Sequence, residues 1–187
     1  MFGHTYIFFD SINSTNDYAK ENINIFEHGS IIRTAHQTAG RGQRGKQWIS
    51  CDGENIFMTI ILKPEYRGKI EKAYIEKIIL FSAKAVQKVI KDSYGLDARI
   101  QMPNDIYIKD KKIAGVLVEA ITQGNVLKGL VAGIGLNCNT LDLPGNISTT
   151  ATSLEIEYGK KINVDVCFSK LVENCEVFYG KMVTKSI

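Results

Sequence analysis

Three glycine-containing clusters in this chain carry side chains able to do chemistry. The first is Gly40-Arg41-Gly42-Gln43-Arg44-Gly45-Lys46, flanked by Gln37 and Trp48. Glycines let backbone N–H groups approach a ligand closely, and arginine offers forked donors to phosphate or carboxylate. Trp48 is the single tryptophan. Beside cations on a loop it suits a base-stacking platform, although a flexible surface loop with Trp48 folded into the core accounts for the same residues. The spacing also matches GxGxxG. That fingerprint must end a strand and open a helix, whereas here Lys46-Gln47-Trp48 leads into another strand, and the dinucleotide reading fails.

The second cluster is Met102-Pro103-Asn104-Asp105, followed by Lys112 and Gly115. An ordinary turn explains Pro103-Asn104-Asp105 taken alone. If the segment is a hairpin, Asp105 and Lys112 face one another near its ends, and a carboxylate, a lysine and a glycine converge in a way that suits an anionic ligand with a metal ion. The third is Gly133-Ile134-Gly135-Leu136-Asn137. Two glycines in a strand mark either a bulge or the close approach of a ligand or another backbone, and Asn137 at the strand tip could hydrogen-bond a ligand. Ser14-Thr15-Asn16 adds a small polar cluster that a helix N-cap would also explain. The chain carries no nucleophile elbow, P-loop, CxxC pair or histidines at metal-ligand spacing. What remains suits binding of phosphates and a small polar molecule, with catalysis by position and electrostatics.

These residues need elements to hold them. Thr5–Asp10 alternates as a first strand, and Asn13 or Ser14 can cap a helix running to about Ile25, ended by Gly29. Ser30–His36 reads as a second strand. Asn55–Leu62 is a nearly continuous apolar run that fits a buried strand. Pro64 and Gly68 mark a loop. Ile70–Ser93 repeats apolar residues at helical spacing (Ala73, Ile78, Leu80, Phe81, Ala85, Val89), with Gly95 as its stop. Ala98–Met102, Asp105–Lys109, Ile113–Thr122 and Leu127–Asn137 read as strands, with a turn at Gly124-Asn125. Asp142–Thr152 is loop. Asn163–Lys181 closes as a helix with Val166, Leu171, Val177 and Phe178 inward. Strand runs mixed with separate helices predict an α+β fold: a mixed, mostly antiparallel sheet with helices on one face.

Composition bounds the rest. A chain of 187 residues that is 44% apolar fills a core without disulfides or metal. Its longest apolar runs, Ile56–Leu62 and Ile78–Ala83, fall short of the roughly 20 residues of a membrane-spanning helix. The N-terminus lacks the basic region of a signal peptide, which predicts a cytoplasmic protein. Cys51, Cys138, Cys167 and Cys175 are then expected to be reduced thiols. A net charge of +3 is too mild to imply nucleic acid.

Taken in order, the clusters resemble the catalytic domain of biotin–protein ligases. That family carries Ser-Thr-Asn after its first strand, then a GRGRxGRxW loop preceded by Gln-Thr-Ala. Here the loop reads Gln37-Thr38-Ala39-Gly40-Arg41-Gly42-Gln43-Arg44-Gly45-Lys46-Gln47-Trp48. A Lys-Trp-Pro-Asn-Asp motif follows, and here it is Gln101-Met102-Pro103-Asn104-Asp105. Lys112-Ile113-Ala114-Gly115-Val116-Leu117-Val118-Glu119 and the Gly133–Asn137 strand end complete a match from about Tyr6 to Leu154.

The resemblance implies a fold like that of the class II aminoacyl-tRNA synthetases and a reaction in two steps. ATP activates the biotin carboxylate as biotinyl-5′-AMP, and a lysine of a biotin carboxyl carrier domain then takes the acyl group. It implies Arg41, Lys112 and Asp105 as catalytic residues, with Asp105 also meeting Mg²⁺. Ser14, Thr15, Asn16, Gln37, Gly40, Arg41, Lys112, Gly115, Gly133 and Gly135 would bind biotin. Gln43, Lys46, Trp48, Asn104, Asp105, Lys112 and Asn137 would bind ATP, with Trp48 on the adenine. Gln43 and Lys46 stand where the family has arginine, and Gln101-Met102 where it has Lys-Trp. A single catalytic domain over 1–187 is expected, without the helix-turn-helix that precedes it in some members or the SH3-like domain that follows it in most. No DNA or membrane partner is therefore expected, and a homodimer is compatible. The alternatives are a lipoate or octanoate ligase or transferase of the same fold, and a non-catalytic biotin or nucleotide binder.

Overall fold

The computed structural model describes residues 1–51, 53–64, 71–124 and 126–184. Gly68, Ile70 and Asn125 lie outside them. The strands are β1 (Tyr6–Ile12), β2 (Ile31–Gln37), β3 (Ile56–Leu62), β4 (Ala98–Gln101), β5 (Asp105–Ile108), β6 (Lys111–Gln123) and β7 (Val126–Leu136). The helices are α1 (Thr15–Glu21), α2 (Lys72–Tyr94), α3 (Leu154–Tyr158) and α4 (Val164–Thr184). The strands form one sheet in the order β1-β2-β3-β7-β6-β5-β4. β1 and β2 run parallel, and every other pairing is antiparallel. This is the expected α+β sheet.

Alternation along β3 explains the layering. All seven of its residues are buried, so both faces of the sheet centre must be covered. Ile56, Met58, Ile60 and Leu62 join the larger core under α2 and α4. Ile61 points the other way, into a smaller cluster with Ala19 of α1, Ile23, Phe26, Ile32 and Val131. The helices therefore lie on both faces, which corrects the one-face expectation.

Ser14 caps α1, its hydroxyl accepting from the Asp17 N–H at 3.3 Å. The helix stops at Glu21, short of Ile25, because Ile23 and Phe26 bury themselves from the turn that follows. Gly95 ends α2 in the left-handed conformation, at φ 67°, which glycine adopts without penalty. On α2 the apolar stripe runs through Ile78, Phe81, Ala85 and Val89, but Ala73 is exposed. On α4 the inward stripe is Cys167, Leu171 and Cys175, with Phe178 packed beside it. Val166 and Val177, expected inward, are each 49% exposed. Cys138, Cys167 and Cys175 are buried free thiols. Burial pushes Cys138 and Cys175 well above the ordinary thiol value, which makes them packing groups. Among the described residues no helix is long and apolar enough to cross a membrane.

Candidate active site

Register on the α1 face of the sheet builds the site. Phe57 of β3 lies opposite Gly135 of β7, Gly135 opposite Gly115 of β6, and Gly115 opposite Asp105 of β5. This row across four strands has glycine at its two central places. The Trp48 ring fills the space they leave. A Cβ added to Gly135 would sit 2.7 Å from the ring, and one added to Gly115 2.8 Å away. The ring thus lies on backbone, where two glycines permit it. Its Nε1–H is buried without a hydrogen-bond partner. Lys112 Nζ sits 5.2 Å from the ring centroid and 2.8 Å from Asp105 Oδ1, so lysine, carboxylate and glycine converge as the hairpin predicts, and the indole, which it did not predict, joins them. A bulge between Ile106 and Tyr107 shifts the register there. Lys112 pairs with Tyr107 and reaches Asp105 along the strand, two positions away on β5.

The next row holds the polar cluster. Thr59 of β3 opposes Gly133 of β7, which opposes Leu117 of β6. The Asn16 amide lies where a Gly133 side chain would be. Thr59 is fully buried, and its hydroxyl donates to Asn16 Oδ1 at 2.6 Å. Asn16 Nδ2 donates to the Leu117 carbonyl at 3.2 Å and to Glu119 Oε2 at 2.8 Å. The Thr15 N–H donates to Gln37 Oε1 at 2.9 Å, which turns the Gln37 amide nitrogen toward Gly40. Gly40 is buried, and any side chain there would meet the Trp48 carbonyl and that amide.

The third row ends on Glu119, opposite Val131. Glu119 and Asp17 share two cations, Arg41 and Lys20. Burial opposes the charge on both carboxylates. Hydrogen bonds from Asn16, Lys20 and Arg41 outweigh it at Glu119, and Lys20 and Arg41 do so at Asp17, so both titrate below their ordinary values. Burial also opposes the charge on Lys20 and Arg41, and the two carboxylates raise both values.

The first two rows contribute Phe57, Gly135, Gly115, Asp105, Gly133 and Leu117 to a cavity of about 420 Å³. Ser14, Thr15, Asn16, Gln37, Arg41, Gln43, Lys46, Trp48, Asn104, Asp105, Lys112, Gly115, Gly133 and Gly135 all line it. Of the residues singled out from the sequence, Gly40 and Asn137 do not. Gly40 sits beneath Trp48. Asn137 is buried, and its Nδ2 donates to the Thr152 carbonyl at 3.0 Å. Thr150 and Thr152 hold the backbone of Lys112 from both sides, at 2.8 and 2.9 Å, so Asn137 supports the strand that carries the lysine. Asn104 donates from its amide to the Val116 carbonyl at 3.1 Å, while the Val116 N–H donates to the Asn104 carbonyl.

One family model spans residues 8–137, and its description is the biotin/lipoate A/B protein ligase family. The chain belongs to that family. Members with curated names include the bifunctional ligase/repressor BirA of Bacillus subtilis strain 168, 33% identical over 181 residues. That match takes in 91% of this chain and 54% of the relative, so the chain spans about half of it. BirA of Escherichia coli K12 is 32% identical over 127 residues, which is 67% of this chain and 38% of the relative. Among solved structures, a biotin protein ligase from Aquifex aeolicus in complex with biotin and ATP superimposes with a TM-score of 0.82 at 25% identity. That superposition covers 95% of this chain and 71% of the other.

Within this family fold, sequence reasoning missed Thr59, Asp17, Lys20 and Glu119, which do not line the cavity themselves but hold Asn16 and Arg41, which do. Thr59 had a signal: it is the one hydroxyl inside the buried run NIFMTIIL. Glu119 ends the lysine motif, but only register shows that it shares a face with Asp17.

Proposed function

We propose that this chain is a biotin–protein ligase catalytic domain. It would join biotin to ATP as biotinyl-5′-AMP and pass the biotinyl group to a lysine of a biotin carboxyl carrier domain. The observation that carries the reading is the row Gly135-Gly115-Asp105 under Trp48. It sets the Lys112 ammonium between Trp48 and Asp105 in a cavity lined by the glycine loop and Asn104-Asp105. In the first step a carboxylate oxygen bonds to the α-phosphorus as the bond to pyrophosphate breaks. In the second the lysine amine bonds to the acyl carbon, AMP leaves, and the amine proton passes to solvent. Charge builds on phosphoryl oxygens, so fixed cations and alignment supply the catalysis. Lys112 would meet the carboxylate and α-phosphate, and exposed Arg44 and Lys46 the outer phosphates. The Thr15, Gln37 and Asn16 amides and hydroxyls suit a polar ring system.

Asp105 is the residue that would meet Mg²⁺. Its Oδ1 is buried without a hydrogen bond, facing the Lys112 ammonium. Among the described residues no group of three or more His, Cys, Asp or Glu side chains could hold a metal. The fit is therefore to one carboxylate contact, with triphosphate oxygens and water supplying the others, as is usual for this ion. Bound there, Mg²⁺ would neutralise phosphate charge. The reduced thiols favour a cytoplasmic setting.

The test incubates the purified chain with biotin, MgATP and a biotin carboxyl carrier domain and reads acceptor mass, with lipoate as the control. A biotin-sized gain with biotin alone supports the reading. A gain with lipoate moves the chain to the other branch of its family. Binding of biotin without biotin-dependent ATP–pyrophosphate exchange makes it a binder.

A further inference from the structure

The glycine loop is closed on itself by its own backbone. Arg41 bridges Gln47, the Gly42 N–H donates to the Lys46 carbonyl at 2.7 Å, and the Trp48 N–H donates to the Gly40 carbonyl at 2.9 Å. Gln43–Gly45 forms a single 3₁₀ turn at its tip. What ties this unit to the sheet is narrower. Among the described residues, Arg41 is the one side chain between Gly40 and Trp48 with hydrogen bonds to other elements. Its Nη2 donates to Asp17 Oδ1 at 2.6 Å and its Nε to Asp17 Oδ2 at 3.1 Å. Nη2 also meets both oxygens of Glu119, at 2.8 and 3.0 Å. Asp17 sits in the first turn of α1 and Glu119 on β6. Lys20 Nζ bridges the same two carboxylates, at 2.8 and 3.0 Å, and Asn16 fixes Glu119 Oε2. Two cations and two anions balance, and all four side chains are only partly exposed.

We propose that Asp17 and Glu119 are positioning residues that clamp Arg41, so that Arg41 fastens the Gly40–Trp48 loop over the cavity while Lys112, Arg44 and Lys46 meet the ligand's charge. The fork of Arg41 is already spent on carboxylates, in the bidentate geometry that guanidinium favours. A ligand phosphate at that guanidinium would have to displace two carboxylates that are themselves held by Lys20 and Asn16. The assignment of ligand charge rests on the ligase reading given above; the clamp does not.

The experiment uses the full chain and the variants Glu119→Gln, Asp17→Asn, Asp17→Glu and Arg41→Met, each first checked for wild-type circular dichroism. Trypsin cleavage after Arg44 and Lys46 in ligand-free protein reads how often the loop opens. With the clamp, Glu119→Gln and Asp17→Asn speed cleavage by about tenfold, the scale of one lost charge-assisted hydrogen bond. Asp17→Glu restores the slow rate, and Arg41→Met opens the loop as far as the two carboxylate variants. In biotin-dependent ATP–pyrophosphate exchange the carboxylate variants raise KM for biotin about tenfold with kcat within a few-fold. Unchanged cleavage in Arg41→Met together with a collapse in kcat would overturn the clamp and make Arg41 a substrate contact. Unchanged cleavage in both carboxylate variants would overturn it as well. Absence of exchange in the wild type would sink the ligase reading alone, because the cleavage assay needs no ligand.

Discussion

At the scale of single residues, Thr59 beneath the polar cluster and Gly135 beneath Trp48 constrain the cavity in opposite ways. Thr59 is fully buried in β3, and its hydroxyl lies 2.6 Å from Asn16 Oδ1, which can only accept, and 2.8 Å from the Thr15 hydroxyl, which can donate in return. Thr59→Val keeps the shape and strands that acceptor. We expect a loss of about 1–3 kcal/mol in urea unfolding and weaker binding of the polar ligand. Thr59→Ser, which keeps the hydroxyl, should lose only about 0.8 kcal/mol for its missing methyl. Equal losses in the two variants would show that the hydroxyl contributes nothing. Gly135 has the opposite constraint, a side chain it cannot carry. The Cβ of Gly135→Ala would enter the Trp48 ring at 2.7 Å, and the listless choice open to the molecule is to move the ring, since β7 is held on both sides by β3 and β6. Trp48 is the chain's sole tryptophan, so its fluorescence reads this directly. A red-shifted emission with nearly unchanged circular dichroism is expected; an unshifted spectrum would mean that the ring does not rest on Gly135 in solution.

At the scale of elements, the first turn of α1, the glycine loop and β6 meet through Asp17, Lys20, Asn16, Arg41 and Glu119. Both carboxylates titrate below their ordinary values in the folded protein, against burial, because of the cations and the amide around them. A lowered folded value means that their contribution is complete above the unfolded values, about 4, and fades as pH falls toward the lowered ones. Comparing wild type with an Asp17→Asn/Glu119→Gln double variant should therefore show a stability gap at pH 7 that narrows below about pH 4. A gap independent of pH would mean that packing, not charge, separates the two proteins. The same elements show how far a sequence carries. The run from Ile56 to Leu62 announces a strand buried on both faces, and Gly95 announces a helix end. Ile23 and Phe26 look like more of α1 but are core residues of a turn, since burial by itself does not dictate helix. On α4 the inward stripe is built from two cysteines acting as small hydrophobes, while Val166 and Val177 face solvent. The glycines of β6 and β7 signal close approach. Only the pairing register says that Trp48 approaches two of them and Asn16 a third, and register joins residues about a hundred positions apart.

For the whole molecule, the cavity is a meeting point of distant segments. Its lining draws on α1, the glycine loop, β3, β5, β6 and β7. A ligand that fills it bridges segments that separate on unfolding, so it binds the folded chain and not the unfolded one. Linkage then fixes the size of the effect. At a ligand concentration a hundred times Kd, stability rises by about 2.7 kcal/mol. For a chain of this length each kcal/mol moves Tm by roughly 2–4 °C, which gives roughly 5–10 °C in all. Biotin should produce this shift, and lipoate at the same concentration should not, if the polar row of Thr15, Asn16 and Gln37 is matched to a hydrogen-bonding ring. If the chain has the proposed ligase activity, biotin and MgATP together should exceed the sum of their separate shifts, because an adenylate held between Lys112 and the loop cannot leave as either substrate alone. A shift with lipoate but not biotin would reassign the acyl group while leaving the fold and the placement of the cavity intact. A shift that survives Gly135→Ala unchanged would place the ligand away from Trp48.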